Sequence, residues 1–231
     1  MKTLAMLILV TLVGFATKGQ VKQNQTATEG ISFGLRFGGN LNSITGNDSH
    51  GNSLEKDSKI GASIGVNVEI PVAPNFVVQP GLLFSNKGTK STETSGSQTA
   101  TGTTYITYAE IPLYLLYKPA LGPGAALLGV GPYAAYALGG KYTINPGGDN
   151  TIKFKNVVRD SDPDVPYLKA FDAGINMLIG YQFVNRFSVQ LNGQFGLANI
   201  NPKYEDEPDD KPSYKNIGFG ISIGYRFHPR K

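Results

Sequence analysis

Large apolar residues recur at every second position through most of this chain, with glycine, serine and amide residues between them. The clearest run is IGFGISIGYRF, residues 217–227. Ile217, Phe219, Ile221, Ile223, Tyr225 and Phe227 alternate there with Gly218, Gly220, Ser222, Gly224 and Arg226. Period-two alternation marks a β-strand whose two faces meet different surroundings. The same pattern predicts seven earlier strands: Gly30–Leu41, Ser58–Ile70, Phe76–Lys87, Thr104–Lys118, Ala125–Gly139, Tyr167–Phe183 and Phe187–Asn199. The fifth is the least regular, because both of its faces are small or apolar. No stretch after residue 19 carries the periodicity of a long helix.

The connections alternate as strictly as the side chains. Residues 71–75, 119–124 and 184–186 are short and rich in Pro, Gly and Asn, whereas 42–57, 88–103, 141–166 and 200–213 are long and polar. A transmembrane barrel has this asymmetry, with short periplasmic turns and longer extracellular loops. Each strand also exceeds the roughly 9–11 residues that a tilted strand needs to cross a bilayer. The polar face is mostly Gly, Ser, Asn and Gln with few charges, which suits the crowded interior of an eight-stranded barrel. The expected fold is therefore all-β: an eight-stranded antiparallel up-and-down transmembrane β-barrel over residues 30–227, its bulky face toward lipid. A soluble, lipocalin-like barrel with its apolar face inside is the rival fold; it would expose glycines rather than charges. Aromatics near strand ends (Tyr105, Tyr117, Tyr181, Phe183, Phe187, Tyr214, Tyr225, Phe227) are expected to form interfacial girdles.

Composition narrows the picture. Of 231 residues, 40% are hydrophobic and only 16% charged, and 29 are glycine, which favours strands and turns over a helical membrane protein. The N-terminus reads as a secretory signal: Lys2, then an apolar core from Leu4 to Phe15, then small residues around a cut expected after Gly19. Residues 20–29 form a short N-terminal segment and 228–231 a C-terminal tail. Without residues 1–19, 19 Lys and Arg face 17 Asp and Glu, a net charge of +2 that is too small to imply a nucleic-acid partner. There is no cysteine, hence no disulfide, thiolate metal site or lipid-anchored cysteine.

Several stretches resemble the PorT-like outer-membrane β-barrel family of Bacteroidota: FGLRFGGNLNSITG at 33–46, YAEIPLYLLYK at 108–118, GVGPY at 129–133, FDAG at 171–174 and GYRF at 224–227. The resemblance covers residues 30–227. It implies an eight-stranded outer-membrane barrel but no single activity; its namesake is tied to protein secretion across the outer membrane. An aromatic near the C-terminus resembles the assembly signal of bacterial outer-membrane barrels, from which His228–Lys231 depart by extending past Phe227.

The candidate site is a barrel-interior charge network. Arg36, Glu69, Glu110, Asp172 and Arg226 fall on the inward face, as do Lys87 and Lys118. Arg36 and Arg226 become neighbours when the first and last strands meet, and Glu69, Glu110 and Asp172 can offset them. Such charges form either a structural polar plug or a narrow ion path; eight strands leave no aqueous channel, which favours the plug. His50, within Asn47–His50, stands beside Ser49 and Asp48 on an outer loop, too local an arrangement for a catalytic site. The acidic stretches Asp160–Asp164 and Glu205–Asp210 lack calcium-loop spacing. The Thr/Ser/Gly run at 89–104 is expected to be a flexible loop tip. No enzyme activity, cofactor or metal is expected. The expected role is structural or interactive: a monomer in outer-membrane lipid whose extracellular loops meet an envelope partner. Narrow solute conduction is the alternative, and a barrel enzyme the third.

Overall fold

The computed structural model describes residues 30–54, 56–95, 98–205 and 212–227; the expected signal segment, residues 20–29 and the tail at 228–231 lie outside them. Eight long strands dominate: β1 Ser32–Asn47, β2 Asp57–Ala73, β3 Phe76–Ser95, β4 Gln98–Tyr117, β5 Gly124–Asn145, β6 Phe171–Gln182, β7 Phe187–Gly196 and β8 Ser213–Phe227. Each pairs antiparallel with the next, and β8 pairs with β1, so the ring of eight closes. The closing register runs from Phe33↔Phe227 to Asn47↔Ser213. Closure leaves no bare strand edge, the condition for a sheet to span lipid.

The two faces separate as the alternation predicts. Phe37, Ile60, Ile111, Tyr136, Leu191 and Ile221 are each 55–76% exposed on the outer surface. A continuous apolar band of this kind far exceeds the few hundred Å² that soluble monomers expose. Lipid is the surrounding that such a band fits, and the lipocalin-like arrangement, with bulk inside, is ruled out. Inside, small and amide residues allow the strands to crowd the axis. A Cβ on Gly38 would meet the Ile221 carbonyl at 2.7 Å, and one on Gly224 would meet Ser188 Oγ at 2.6 Å.

The short turns lie where expected. Asn75 and Arg186 take positive φ there, 63° and 70°. Aromatic rings cluster at this end: Phe76 with Tyr117 at 5.0 Å, Phe187 with Tyr225 at 4.9 Å and Tyr225 with Phe227 at 4.8 Å. This is the expected inner girdle. Tyr214 departs from its girdle assignment. It turns inward and packs against a buried cluster near the long-loop end.

The long connections are more ordered than their composition suggests. Residues 88–103 are not a loose tip: β3 and β4 pair through Thr89↔Thr104 to Ser95↔Gln98. Outside the bilayer both faces are wetted, so alternation disappears while threonine still favours extended backbone. Residues 141–166 contain a strand, Gly148–Thr151, folded back on β5. Tyr167–Leu168 pairs in parallel with Lys153–Phe154, so β6 starts at Phe171 rather than Tyr167. Lys203–Tyr204 pairs with Val157–Val158 and ties two long connections together. β7 stops at Gly196, because the next two N–H groups both turn to the Ala173 carbonyl.

Candidate functional site

The inward positions of β4 name the layers of the interior in order. From the long-loop end they read Thr104, Ile106, Tyr108, Glu110, Pro112, Tyr114 and Leu116, with Lys118 just past the strand.

At the short-turn end a single carboxylate holds two cations. Glu69 Oε2 lies 2.7 Å from Arg226 Nη1 and 2.6 Å from Lys118 Nζ, and Gln79 donates to Glu69 Oε1 at 3.2 Å. The three charged residues come from β2, β8 and the end of β4, so the barrel must be closed for the cluster to exist. Above it sits Arg36. Its Nε donates to Ser222 Oγ at 3.1 Å, and its Nη2 donates to Asn192 Oδ1. Among the described residues no carboxylate pairs with it. Arg36 does neighbour Arg226 across the β1–β8 seam, but Glu69 pairs with Arg226 and Lys118 instead. Arg36 faces a cavity of about 70 Å³, shared with Tyr114, Asn192 and Gln194. That is space enough to hold water.

Toward the long-loop end the charge pattern inverts. One ammonium, Lys87 Nζ, lies 3.2 Å from Glu110 Oε1 and 3.6 Å from Asp172 Oδ2. Ser85 and Gln194 donate to Glu110, the latter at 2.8 Å. Tyr133 Oη and Asn216 Nδ2 donate to Asp172 Oδ2 at 3.1 and 2.9 Å. The ammonium also lies 4.9 Å from the Tyr108 ring centre and 5.0 Å from that of Tyr133. Buried charge is tolerated only when it is paired, and every charge of the two clusters has a counter-charge within 4 Å, although Lys87 Nζ and Asp172 Oδ1 make no hydrogen bond among the described residues. Among the described residues of the bore, Arg36, Lys87, Lys118 and Arg226 face Glu69, Glu110 and Asp172, leaving one positive charge in excess.

Above the Lys87 cluster lies an apolar plate. Ile106, Tyr108, Tyr133, Ala135 and Ala137 are buried together with Ile152 and Leu168 from the long connection. Tyr108 is 0% and Ile106 1% exposed, so this layer seals the bore on that side. Beyond it opens a vestibule of about 370 Å³, walled by Ile44, Tyr142, Tyr167, Tyr204 and Tyr214 with Lys56 among them. Alternation located the inward charges, but not the plate's outer half or the vestibule. Ile44, Tyr142 and Tyr214 lie at the loop-side ends of β1, β5 and β8, where alternation fades, and Ile152, Tyr167, Leu168 and Tyr204 lie in the long connections, where there is no period to detect. The signal available was a tyrosine at intervals through polar stretches.

The remaining candidates resolve into local structure. The Asp48 carboxylate accepts the backbone N–H of His50 and not its ring, and Ser49 Oγ is 3.4 Å from His50 Nδ1 on an exposed turn. No relay from carboxylate to imidazole is built there. Asp162 accepts from Lys155 Nζ and from the Arg159 N–H, which hold its carboxyl below the usual carboxylate range. Glu205 pairs with Arg159 at 3.6 Å; residues 206–210 of the second acidic stretch, and His228, lie outside the described residues. Among the described residues no three His, Cys, Asp or Glu side chains converge as metal ligands.

A family model agrees with this architecture. Residues 21–201 match the family model of the outer membrane protein beta-barrel domain. No curated protein matches the sequence. Among solved structures, Ail, the attachment invasion locus protein of Yersinia pestis, aligns with 86% of this chain and 99% of its own at 11% identity and a TM-score of 0.41. AlkL aligns with 92% and 98% at 12% identity and a TM-score of 0.35. An outer-membrane channel from Pseudomonas putida F1 aligns with 91% and 100% at 10% identity and a TM-score of 0.31. With its family model covering most of its length, the chain belongs to the outer membrane protein beta-barrel domain family, and its place is the outer membrane.

Proposed function

We propose that this outer-membrane barrel is a closed, monomeric scaffold with no catalytic activity, which serves by what its external end binds in the envelope. The observation that carries this reading is the filled bore: an apolar plate centred on Tyr108 lies over ion-paired side chains, while a cavity of about 370 Å³ lies on the far side of the plate, among the long connections. Export through a signal peptide cleaved near Gly19 belongs to the same proposal. So does membership of the PorT-like branch of Bacteroidota, with an accessory part in secreting proteins across the outer membrane. The test is single-channel recording of the purified barrel in a planar bilayer, after heat-modifiable migration on SDS gels has verified folding. A folded barrel that carries no discrete current supports the scaffold; steady steps of current sink it. Comparing secreted proteins in a deletion strain and its parent tests the secretion role, which an unchanged profile would remove.

A second reading, narrow anion passage, is favoured by one feature. Arg36 faces the 70 Å³ cavity with only neutral partners among the described residues. It predicts chloride-selective current that falls in Arg36→Gln.

A further inference from the structure

The vestibule is more than the space left between connections. Its floor is the sealed plate, so it is blind on the membrane side. Its walls are dominated by aromatic and aliphatic side chains from five separate chain segments. At about 370 Å³ it falls at the small end of the ~300–1,000 Å³ typical of small-molecule sites. Pockets of that kind take orientation from a few polar groups set in an apolar lining.

The polar groups of this lining are not equally available. Asp48 is already committed: Oδ1 accepts the N–H groups of His50 and Asn52 at 2.9 and 2.8 Å, and Oδ2 accepts the Asn52 side-chain amide at 3.2 Å. The Tyr167 hydroxyl donates to the Pro163 carbonyl at 2.9 Å, which leaves its ring as the surface it offers. Asn201 Nδ2 donates to the Pro202 carbonyl at 3.0 Å. Lys56 differs. It is half-buried, its ammonium lies 5.0 Å from the centre of the Tyr214 ring, and no carboxylate among the described residues pairs with it. Burial lowers its pKa, as expected for an ammonium kept where water is scarce. A cation with an aromatic neighbour and N–H donors that have no hydrogen-bond partner among the described residues, at the wall of an apolar cavity, is complementary to an anion carried on an apolar body. Tyrosine walls favour a flat ring as that body, since ring–ring contacts add to simple burial.

We infer that the vestibule binds a small aromatic carboxylate, its ring among Tyr142, Tyr167 and Tyr214 and its carboxylate on Lys56. This rests on the closed-barrel reading, because a blind vestibule retains what a channel mouth would pass.

The experiment uses the full chain in nanodiscs and a matched pair of probes, 3-phenylpropionate and its neutral amide, with affinities read by calorimetry and ligand-observed NMR. The acid is expected to bind about tenfold more tightly than the amide, the scale of one charge-assisted hydrogen bond. Lys56→Met is expected to bring the acid down to the amide's affinity without moving the amide, and Lys56→Arg to keep the preference. Heat-modifiable migration checks that both variants fold. Equal binding of acid and amide by the parent protein overturns the inference, as does no binding of either, or an acid preference that survives Lys56→Met. Bilayer currents separate the two ideas. Acid preference with a conducting barrel would sink the scaffold reading alone, whereas no preference with a silent barrel would sink only this site.

Discussion

The two ion clusters of the bore are near mirror images in charge. At the short-turn end one carboxylate, Glu69, serves the two cations Lys118 and Arg226; nearer the loops one ammonium, Lys87, serves the two carboxylates Glu110 and Asp172. In each, the residue in the minority holds the group together, and its loss strands two like charges. The clusters differ in depth. The Lys87, Glu110 and Asp172 side chains are 0–6% exposed, against 8–11% for the Glu69 trio. The trio at the mouth also owns long, flexible cations that can reach for water. Depth, not the number of ion pairs, should therefore rank the consequences of disruption.

The largest effect is expected from Lys87→Met, which leaves Glu110 and Asp172 without their counter-charge beneath a sealed plate. Breaking a buried pair in this way costs about 3–5 kcal/mol, read as a fall in the urea midpoint of the barrel in lipid vesicles. Adding Glu110→Gln and Asp172→Asn to Lys87→Met should recover a large share of that loss; no recovery would mean Lys87 matters for packing instead. Next comes Glu69→Gln, expected at about 2–3 kcal/mol because Lys118 and Arg226 can turn toward solvent. An effect equal to that of Lys87→Met would erase the distinction between the two ends. Arg226→Met should cost about 1.5 kcal/mol, the scale of one hydrogen bond to a charged group, since Lys118 still neutralises Glu69. The smallest effect lies outside the bilayer, at Asp162. Its folded pKa is depressed by Lys155 and the Arg159 N–H. The order it lends its loop is therefore complete above the ordinary aspartate value of ~3.9 and is lost as pH falls through the lower folded value. The Arg159 amide resonance should report that loss in an acid titration, with no movement above pH ~5.

Legibility from sequence followed the solvent. Within the bilayer, lipid outside and a crowded bore inside impose opposite demands on neighbouring residues, so alternation located all eight strands and assigned Arg36, Glu69, Glu110, Asp172 and Arg226 to the interior. Above the bilayer those demands vanish. Thr89–Thr104 then reads as a loop although most of it is paired strand, and Tyr214 reads as a girdle residue although it faces a cavity. The partners of Arg36 were equally hidden. A strand pattern says which face a charge occupies, but height within the bore depends on strand stagger. That stagger brings Ser222 and Asn192 to Arg36 and directs Glu69 to Arg226 and Lys118.

The seam between β1 and β8 joins residues that are 166 to 194 positions apart, from Asn47↔Ser213 to Phe33↔Phe227. Pairing so distant in the chain is the slowest kind to form, and nothing earlier in the ring can substitute for it. Until it forms, two full-length edges carry bare N–H and C=O groups that lipid cannot satisfy. The seam thus works as a proof of completeness. A chain cut short before β8 lacks the partner that β1 and β7 both need, and stays an open sheet with two unsatisfied edges. Arg226, contributed by that final strand and locked to Glu69 from β2, is among the last ties made. Finishing the barrel and completing the ion cluster at its inner mouth are one event.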